Sequence, residues 1–209
     1  MKKLLIVFFI FFSTVSVFPQ SFEGKVVYQN SFKSKMPNMK DEQFNAMMGT
    51  RQEYYLKGGD YKSVFNGTYL QSQLYINKEN KLYNKMSNSE TYFWNDGSTS
   101  DDSIISVKLN KVAVDILGYQ CDELILTCKS GVQKYYFNSK FGIDPKLYAN
   151  HKYGNWKEYL ELAKALPLKM IIDNQQFVME SVATEIQPME LSQSDFQLSP
   201  NALTAKSPY

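Results

Sequence analysis

The stretch of residues 116–137, ILGYQCDELILTCKSGVQKYYF, decides the fold of this chain. Apolar and polar residues alternate over Tyr119–Cys128 and again over 132–137, and Ser130-Gly131 separates the two runs. Alternation with a period of two around a turn that contains glycine predicts a β-hairpin. Because an isolated hairpin is only marginally stable in water, we expect this one to form the middle of a larger sheet.

The composition favours one exported β domain and excludes a nucleic-acid partner. The chain has 209 residues, enough for a single domain with its own core. Its 23 basic and 21 acidic residues leave a net charge of +2, and no run of like charge forms a phosphate-binding stripe. The 15 Tyr and 14 Phe residues favour strands, because aromatic rings pack well on a half-buried sheet.

The first 20 residues have the pattern of a secretory signal peptide. Lys2 and Lys3 precede an apolar run over residues 4–12, and small or weakly polar residues follow. The apolar run is shorter than the roughly 20 residues of a membrane-spanning helix. We therefore predict a signal peptide over residues 1–20, cleaved after Ser16 or Gln20, and a mature chain without a transmembrane segment.

The two cysteines are expected to be free thiols, although an exported protein meets an oxidising compartment. Cys121 and Cys128 lie seven positions apart on one predicted strand, which places them about 23 Å apart at ~3.3 Å per residue. A disulfide requires Cα atoms within about 7 Å. We expect both thiols to be buried small apolar groups.

The rest of the chain predicts further strands and two short helices. Phe44, Met47 and Met48 share one helical face within Asp41–Met48, which Gly49 should end. Residues 155–164 predict a second helix, with Asn155 and Glu158 as a capping pair. Predicted strands cover 22–30, 52–56, 61–66, 68–77, 81–86, 91–94, 104–109, 112–116, 119–128, 132–137, 166–173 and 176–187. We expect a single domain over residues 21–199 and a disordered tail over 200–209.

Four segments resemble a group of uncharacterised exported proteins of Gram-negative bacteria related to the GLPGLI proteins. They are FEGKVVY at 22–28, ILGYQCDELIL at 116–126, LPLKMIID at 166–173 and SDFQL at 194–198. The resemblance spans residues 22–198, but ALPLKMI at 165–171 departs from the motif that gives the GLPGLI proteins their name.

This resemblance implies a fold similar to the lipoprotein carriers LolA and LolB. The fold class is then mainly β (α+β): a strongly curved antiparallel sheet, an incomplete barrel, with two short helices over its concave face. Those carriers latch the helices with an arginine on an inner strand. The one arginine here, Arg51, begins a predicted strand, so that role is not transferred to it.

The expected function is an exported, non-enzymatic protein of the periplasm or cell exterior that binds or carries an apolar ligand, such as an acyl chain, a lipid or a lipoprotein. Methionine suits apolar binding of this kind because it adapts its shape. The alternative is that the same side chains fill the barrel and leave no cavity, as protein interiors usually do. The residues expected to line the cavity are Phe44, Met47, Met48, Leu70, Leu74, Trp156, Tyr159, Leu160 and Met170.

A second class of function is a protein-interaction module with an envelope partner. Alternation over residues 68–77 places Leu70, Leu74 and Ile76 on the buried face and exposes Tyr69 and Tyr75. Tyrosine is enriched at protein interfaces, so this exposed face is a candidate partner surface.

No catalytic, cofactor or metal site is expected. His151 lies among loop-forming residues, and we expect a surface histidine without a catalytic partner. The oxygen-rich loop with Asp96, Asp101 and Asp102 lacks the ligand order of an EF-hand, so a solvated loop is favoured over a calcium site. Asn66 matches a glycosylation acceptor, as Ser103 does more weakly, but a tight turn explains the Asn66 segment equally well.

Overall fold

The computed structural model describes residues 21–100 and 102–208. The expected signal peptide, residues 1–20, lies outside the described residues. The described part of the chain forms one sheet of 12 strands with the order β12-β6-β5-β4-β3-β2-β1-β11-β10-β9-β8-β7. The strands are β1 (Gly24–Ser34), β2 (Arg51–Lys57), β3 (Asp60–Phe65), β4 (Leu70–Ile76), β5 (Lys81–Met86), β6 (Tyr92–Asp96), β7 (Ile104–Ile116), β8 (Tyr119–Cys128), β9 (Gly131–Gly142), β10 (Ala165–Asn174), β11 (Phe177–Pro188) and β12 (Thr204–Lys206).

The structure confirms the predicted fold class. The sheet is curved and does not close, and two short α-helices, α1 (Asp41–Met48) and α2 (Trp156–Ala163), complete it. All neighbouring strands pair antiparallel except β12, which pairs parallel with β6. The predicted hairpin is strands β8 and β9, whose register runs from Thr127 opposite Val132 to Asp122 opposite Phe137.

Both helices lie on the same face of the sheet, the face that carries Tyr28 and Leu126, which we call the inner face. Tyr159 and Leu160 of α2 are fully buried in the main cluster on this face. Helix α1 packs Phe44 against Phe32, at a ring-centroid distance of 5.3 Å. The helices therefore cover the sheet as the resemblance implies.

A glycine follows α1 as predicted, whereas α2 begins without the predicted side-chain cap. Gly49 follows α1 with a φ of 89°, and a Cβ there would lie 2.6 Å from the backbone nitrogen of Gly67. Asn155 precedes α2 in the left-handed region and its side chain does not cap the helix, so the predicted capping pair with Glu158 is wrong. The Asn155 side chain instead contacts the Ser100 hydroxyl and the Cys128 thiol.

The segment after β11 covers part of the opposite, outer face. Phe196 and Leu191 pack there against Leu74 of β4 and Tyr83 of β5, in a second buried cluster. Because of this cover, β4 is buried on both faces, which the alternating pattern of residues 68–77 does not predict.

Two further expectations differ from the structure. The tail is not disordered throughout, because Thr204–Lys206 forms β12 and extends the sheet beyond β6. The two strands predicted over 104–109 and 112–116 are one strand, β7, whose register with β8 shifts between Asn110 and Val114. Val112 has a φ of 50° at this shift, and a bulge of this kind keeps one strand continuous.

Candidate functional site

A row of aromatic rings crosses the inner face from β2 to α2. Tyr61 of β3 lies 5.4 Å from Tyr54 of β2 and 5.1 Å from Tyr75 of β4, measured between ring centroids. Trp156, at the start of α2, lies 6.4 Å from Tyr61. Burial raises the pKa values of Tyr54 and Tyr61, so both hydroxyls stay protonated and uncharged at neutral pH.

His151 belongs to this row and is not the surface residue we expected. The 3₁₀ turn Pro145–Tyr148 folds over the sheet, and His151 follows it with a side chain that is 1% exposed. Its ring stacks on Tyr75 at 3.9 Å, and its Nε2 shares a hydrogen bond of 2.9 Å with the Tyr61 hydroxyl. Burial lowers the pKa of His151 from 6.5 to about 3, so the imidazole is neutral at pH 7.

A cleft of about 150 Å³ opens on the inner face between the aromatic row and strand β10. Strands β1 to β4 supply one side of it, and α2 with β10 supplies the other. The ten lining residues are all uncharged: Tyr28, Gln52, Tyr54, Tyr61, Ser63, Gln73, Trp156, Leu166, Pro167 and Met170. The cleft is thus mainly aromatic and aliphatic, with a few hydrogen-bonding groups.

A hydrogen bond across the sheet fixes one wall of the cleft. The Tyr28 hydroxyl of β1 donates to the backbone carbonyl of Pro167 in β10 at 2.7 Å. The register between β9 and β10 shifts on both sides of Pro167. The Tyr28 hydroxyl thus supplies a buried donor to this carbonyl at an irregular point of the strand pairing.

Amide and hydroxyl side chains form the polar margin of the cleft. Gln52 Nε2 donates to Ser63 Oγ at 2.9 Å, and Gln73 Nε2 donates to Asn84 Oδ1 at the same distance. The row continues to β6, where Asn84 Nδ2 donates to Asn95 Oδ1 at 2.9 Å. These side chains hold one another in place, so the margin is ordered without charge.

The structure brings only part of the predicted lining to the cleft. Trp156 and Met170 line it, whereas Tyr159 and Leu160 lie behind it in the filled core. Phe44 is buried against Phe32 and Phe177, away from the cleft.

The remaining predicted lining residues also lie elsewhere. Met47 and Met48 are half-buried on α1. Leu70 is buried but belongs to neither of the two clusters. Leu74 faces the outer side, where it packs against the C-terminal segment. The prediction that Leu74 lines the cavity is therefore wrong, because its neighbour Tyr75 is the residue of β4 that faces the inner side.

Tyr75 is fully buried, so it cannot belong to the exposed tyrosine face that we expected. Tyr69 remains 37% exposed. The sequence analysis did not identify Tyr28, Tyr54 or Tyr61 as lining residues. Tyrosine is common on both buried and exposed faces, and alternation alone does not distinguish the two.

The other candidate groups of the sequence analysis do not converge on a site within the described residues. Cys121 and Cys128 are free and buried, as predicted. The Asp96 carboxylate accepts hydrogen bonds from Ser98, and the Asp102 carboxylate accepts them from Ser130. Asp101 lies outside the described residues. Both α-helices have eight residues, far fewer than the roughly 20 of a membrane-spanning helix.

The glycosylation candidates are both exposed. Asn66 lies in the turn between β3 and β4, and its side-chain oxygen accepts a hydrogen bond from the backbone nitrogen of Arg51. Ser103 precedes β7. Modification of either residue stays a prediction.

No family model matches the chain. No curated protein is similar to it in sequence. Among solved structures it is similar to PNGF-II, with 13% identity, 90% of this chain covered and a TM-score of 0.49, and it spans only 32% of that longer protein.

Two further solved structures cover most of both chains. The LolA superfamily protein NE2245 from Nitrosomonas europaea has 11% identity, 87% and 92% coverage and a TM-score of 0.39. LprF from Mycobacterium bovis has 9% identity, 81% and 88% coverage and a TM-score of 0.30. The TM-scores of these three structures are all below 0.5. The relation to the GLPGLI proteins stays a prediction.

Proposed function

We propose that this chain is an exported, non-enzymatic binding protein of the cell envelope that holds the apolar part of a lipid or lipoprotein in its inner-face cleft. The observation that supports this proposal is the uncharged lining of the cleft, made mainly of Tyr, Trp, Leu, Pro and Met side chains. Apolar groups bind such surfaces because burial removes their area from water. The ordered amides beside the rings suit an uncharged polar group next to the apolar part.

The size of the cleft limits what enters it. At about 150 Å³ it matches a cavity that holds one benzene ring, and it is smaller than the ~300–1,000 Å³ of sites that enclose a drug-sized ligand. Beside the cleft, the inner face is filled by α2 and by the aromatic row. The ligand therefore inserts one end, such as the end of an acyl chain, and leaves its other end outside.

The test is the binding of a fluorescent fatty acid to purified protein, followed by the increase in probe emission. Replacing Met170 by Trp places an indole in the cleft, and we expect at least a tenfold loss of affinity. Ile171→Trp is the matched control, because successive residues of a strand point to opposite faces. Met170 pairs with the core residue Tyr135, whereas Ile171 pairs with Lys134.

Mass spectrometry of the native protein, purified from the envelope of its own cells, supplies an independent readout. A bound lipid that is absent from the Met170→Trp variant would support the proposal. Absence of bound lipid together with absence of probe binding would refute it, as would equal affinities of the Met170→Trp and Ile171→Trp variants.

A further inference from the structure

Strand β7 is an open edge of the sheet. It is the last strand in the order, and within residues 21–100 and 102–208 it pairs with β8 alone. No other strand of the described residues pairs with its outward backbone N–H and C=O groups. These groups are therefore available to a strand from another chain. Such an edge is a template for pairing with a second chain.

Apolar side chains accompany this open edge. Ile105 is 71% exposed, and Val107 and Leu109 are each 49% exposed. Val107 lies opposite Leu126, and Leu109 lies opposite Leu124, so both point to the inner face. The β8 residues opposite them, Leu124 and Leu126, are fully buried. The apolar core therefore continues to β7, the rim of the sheet, and is left uncovered there.

We propose that β7 pairs antiparallel with β7 of a second copy of this chain, around a two-fold axis at Val107. Residues 105–109 of each copy form the contact, and its outermost residue, Ile105, lies at the register shift with β8 between Ile104 and Ser106. Val107 then lies opposite the partner's Val107, and Ile105 lies opposite the partner's Leu109. The pairing satisfies the outward backbone groups and covers the apolar rim of both copies.

The charges of β7 select this register. With the axis at Val107, Lys108 lies opposite the partner's Ser106. Moving the axis by one residue to Lys108 places two lysines directly opposite each other, which is destabilising. Moving it to Ser106 places Lys108 opposite the partner's Ile104 and leaves Leu109 without an apolar partner. Register shifts with β8 between Ile104 and Ser106, and again between Asn110 and Val114, end regular pairing on the two sides of this segment.

The self-complementary register argues for a second copy of the chain rather than an unrelated strand. Every apolar side chain from Ile105 to Leu109 meets an apolar one, and the lysine meets a hydroxyl. A two-fold axis perpendicular to the sheet also places the inner faces of both copies on the same side.

The mass of the purified protein in solution, measured by light scattering or sedimentation over a dilution series, tests this pairing. We expect twice the chain mass at high concentration and dissociation on dilution. Val107→Lys places two ammonium groups at the axis, and we expect that variant to have the mass of one chain. Leu162→Lys is the matched control, because Leu162 on α2 is exposed to a similar degree, 51%, and should leave the dimer intact.

Cysteine cross-linking tests the register. Val107→Cys should link two chains under mild oxidation, because the two thiols meet at the axis. Leu109→Cys should not link them, because its copies are four residues apart along the strand, about 13 Å at ~3.3 Å per residue, beyond the reach of a disulfide. The native thiols of Cys121 and Cys128 are buried and do not compete.

Three results would overturn the proposal. They are the mass of one chain at every concentration, a dimer that Val107→Lys leaves intact, and cross-linking of Leu109→Cys as efficient as that of Val107→Cys. Circular dichroism of each variant establishes that it is folded, so a change in mass reports on pairing.

Discussion

The buried histidine should make the protein less stable in mild acid. The pKa of His151 is about 3 in the folded state, against 6.5 for an ordinary histidine, and burial is the cause. Below pH 6.5 the unfolded chain takes up a proton at this position, whereas the folded chain does not until the pH nears 3. Neutral His151 therefore contributes its full stability above about pH 6.5, and this contribution is lost as the pH falls toward 3.

The magnitude follows from the difference between the two pKa values. Each pH unit between them changes the free energy of unfolding by about 1.4 kcal/mol. Between about pH 7.5 and pH 4.5 we expect His151 alone to remove about 3 kcal/mol. The neighbouring groups do not offset this loss, because burial raises the pKa of Tyr75 to about 12 and raises those of Tyr61 and Tyr148 further.

The assay is urea unfolding of the native chain and of His151→Gln at both pH values. Glutamine keeps a hydrogen-bonding group near the Tyr61 hydroxyl but does not titrate, so the loss of stability in acid should be about 3 kcal/mol smaller in the variant. Carboxylates whose pKa values are lowered in the folded state, such as Glu53 and Glu123, also reduce stability in acid, but they contribute equally to both proteins. Comparison of the two chains therefore isolates the histidine.

Tyr61→Phe is the control for the hydrogen bond. It removes the partner of His151 Nε2 but leaves the imidazole buried, so the acid sensitivity should persist. An equal loss of stability in acid for the native chain and for His151→Gln would refute the reasoning. It would mean that burial does not lower the pKa of the imidazole.

Two further substitutions test the packing around the cleft and on the outer face. Tyr28→Phe leaves the Pro167 carbonyl without its buried donor, and we expect the free energy of unfolding to fall by about 1–3 kcal/mol in urea titrations. An unchanged midpoint would show that the cross-sheet hydrogen bond contributes nothing. Phe196→Ala leaves a cavity against Leu74 and should cost about 3–5 kcal/mol, whereas Leu203→Ala, at an exposed position, should change stability by less than about 0.5 kcal/mol. Equal effects of those two substitutions would mean that the C-terminal segment does not pack on the outer face.

The sequence predicts those parts of the fold that local pattern decides. The hairpin of β8 and β9 has period-two alternation and a turn of Ser130 and Gly131, so both strands and their pairing follow from neighbouring residues. Helix α1 ends at Gly49, whose positive φ and close approach to Gly67 suit glycine. These features need no knowledge of distant contacts.

The sequence does not predict which residues distant segments cover. The alternation of β4 is real, but the C-terminal segment buries Leu74 on the outer face while Tyr75 enters the core. His151 follows loop-forming residues, and loops usually lie on the surface. Here the turn before it folds back onto the aromatic row, so that the histidine is buried by contacts far away in sequence.

The cleft was only partly identified for the same reason. Trp156 and Met170 were predicted from the amphipathic pattern of their own elements, and both line it. The alternating pattern of residues 68–77 places Gln73 on the solvent side, because polar residues in an alternating strand usually face water, and Gln52 and Ser63 were not assigned to a face. They border the cleft because the helices leave this part of the inner face open.

The cleft and the open edge are far enough apart for their tests to be independent. Three strand spacings of about 4.8 Å separate β10, which carries Met170, from β7, which carries Val107. Met170→Trp should therefore weaken probe binding at least tenfold and leave the dimer unchanged. Val107→Lys should separate the copies and leave the affinity for the probe unchanged. If Val107→Lys also weakened probe binding severalfold, the ligand would extend to the rim of the inner face, and the small cleft would not be the whole binding site.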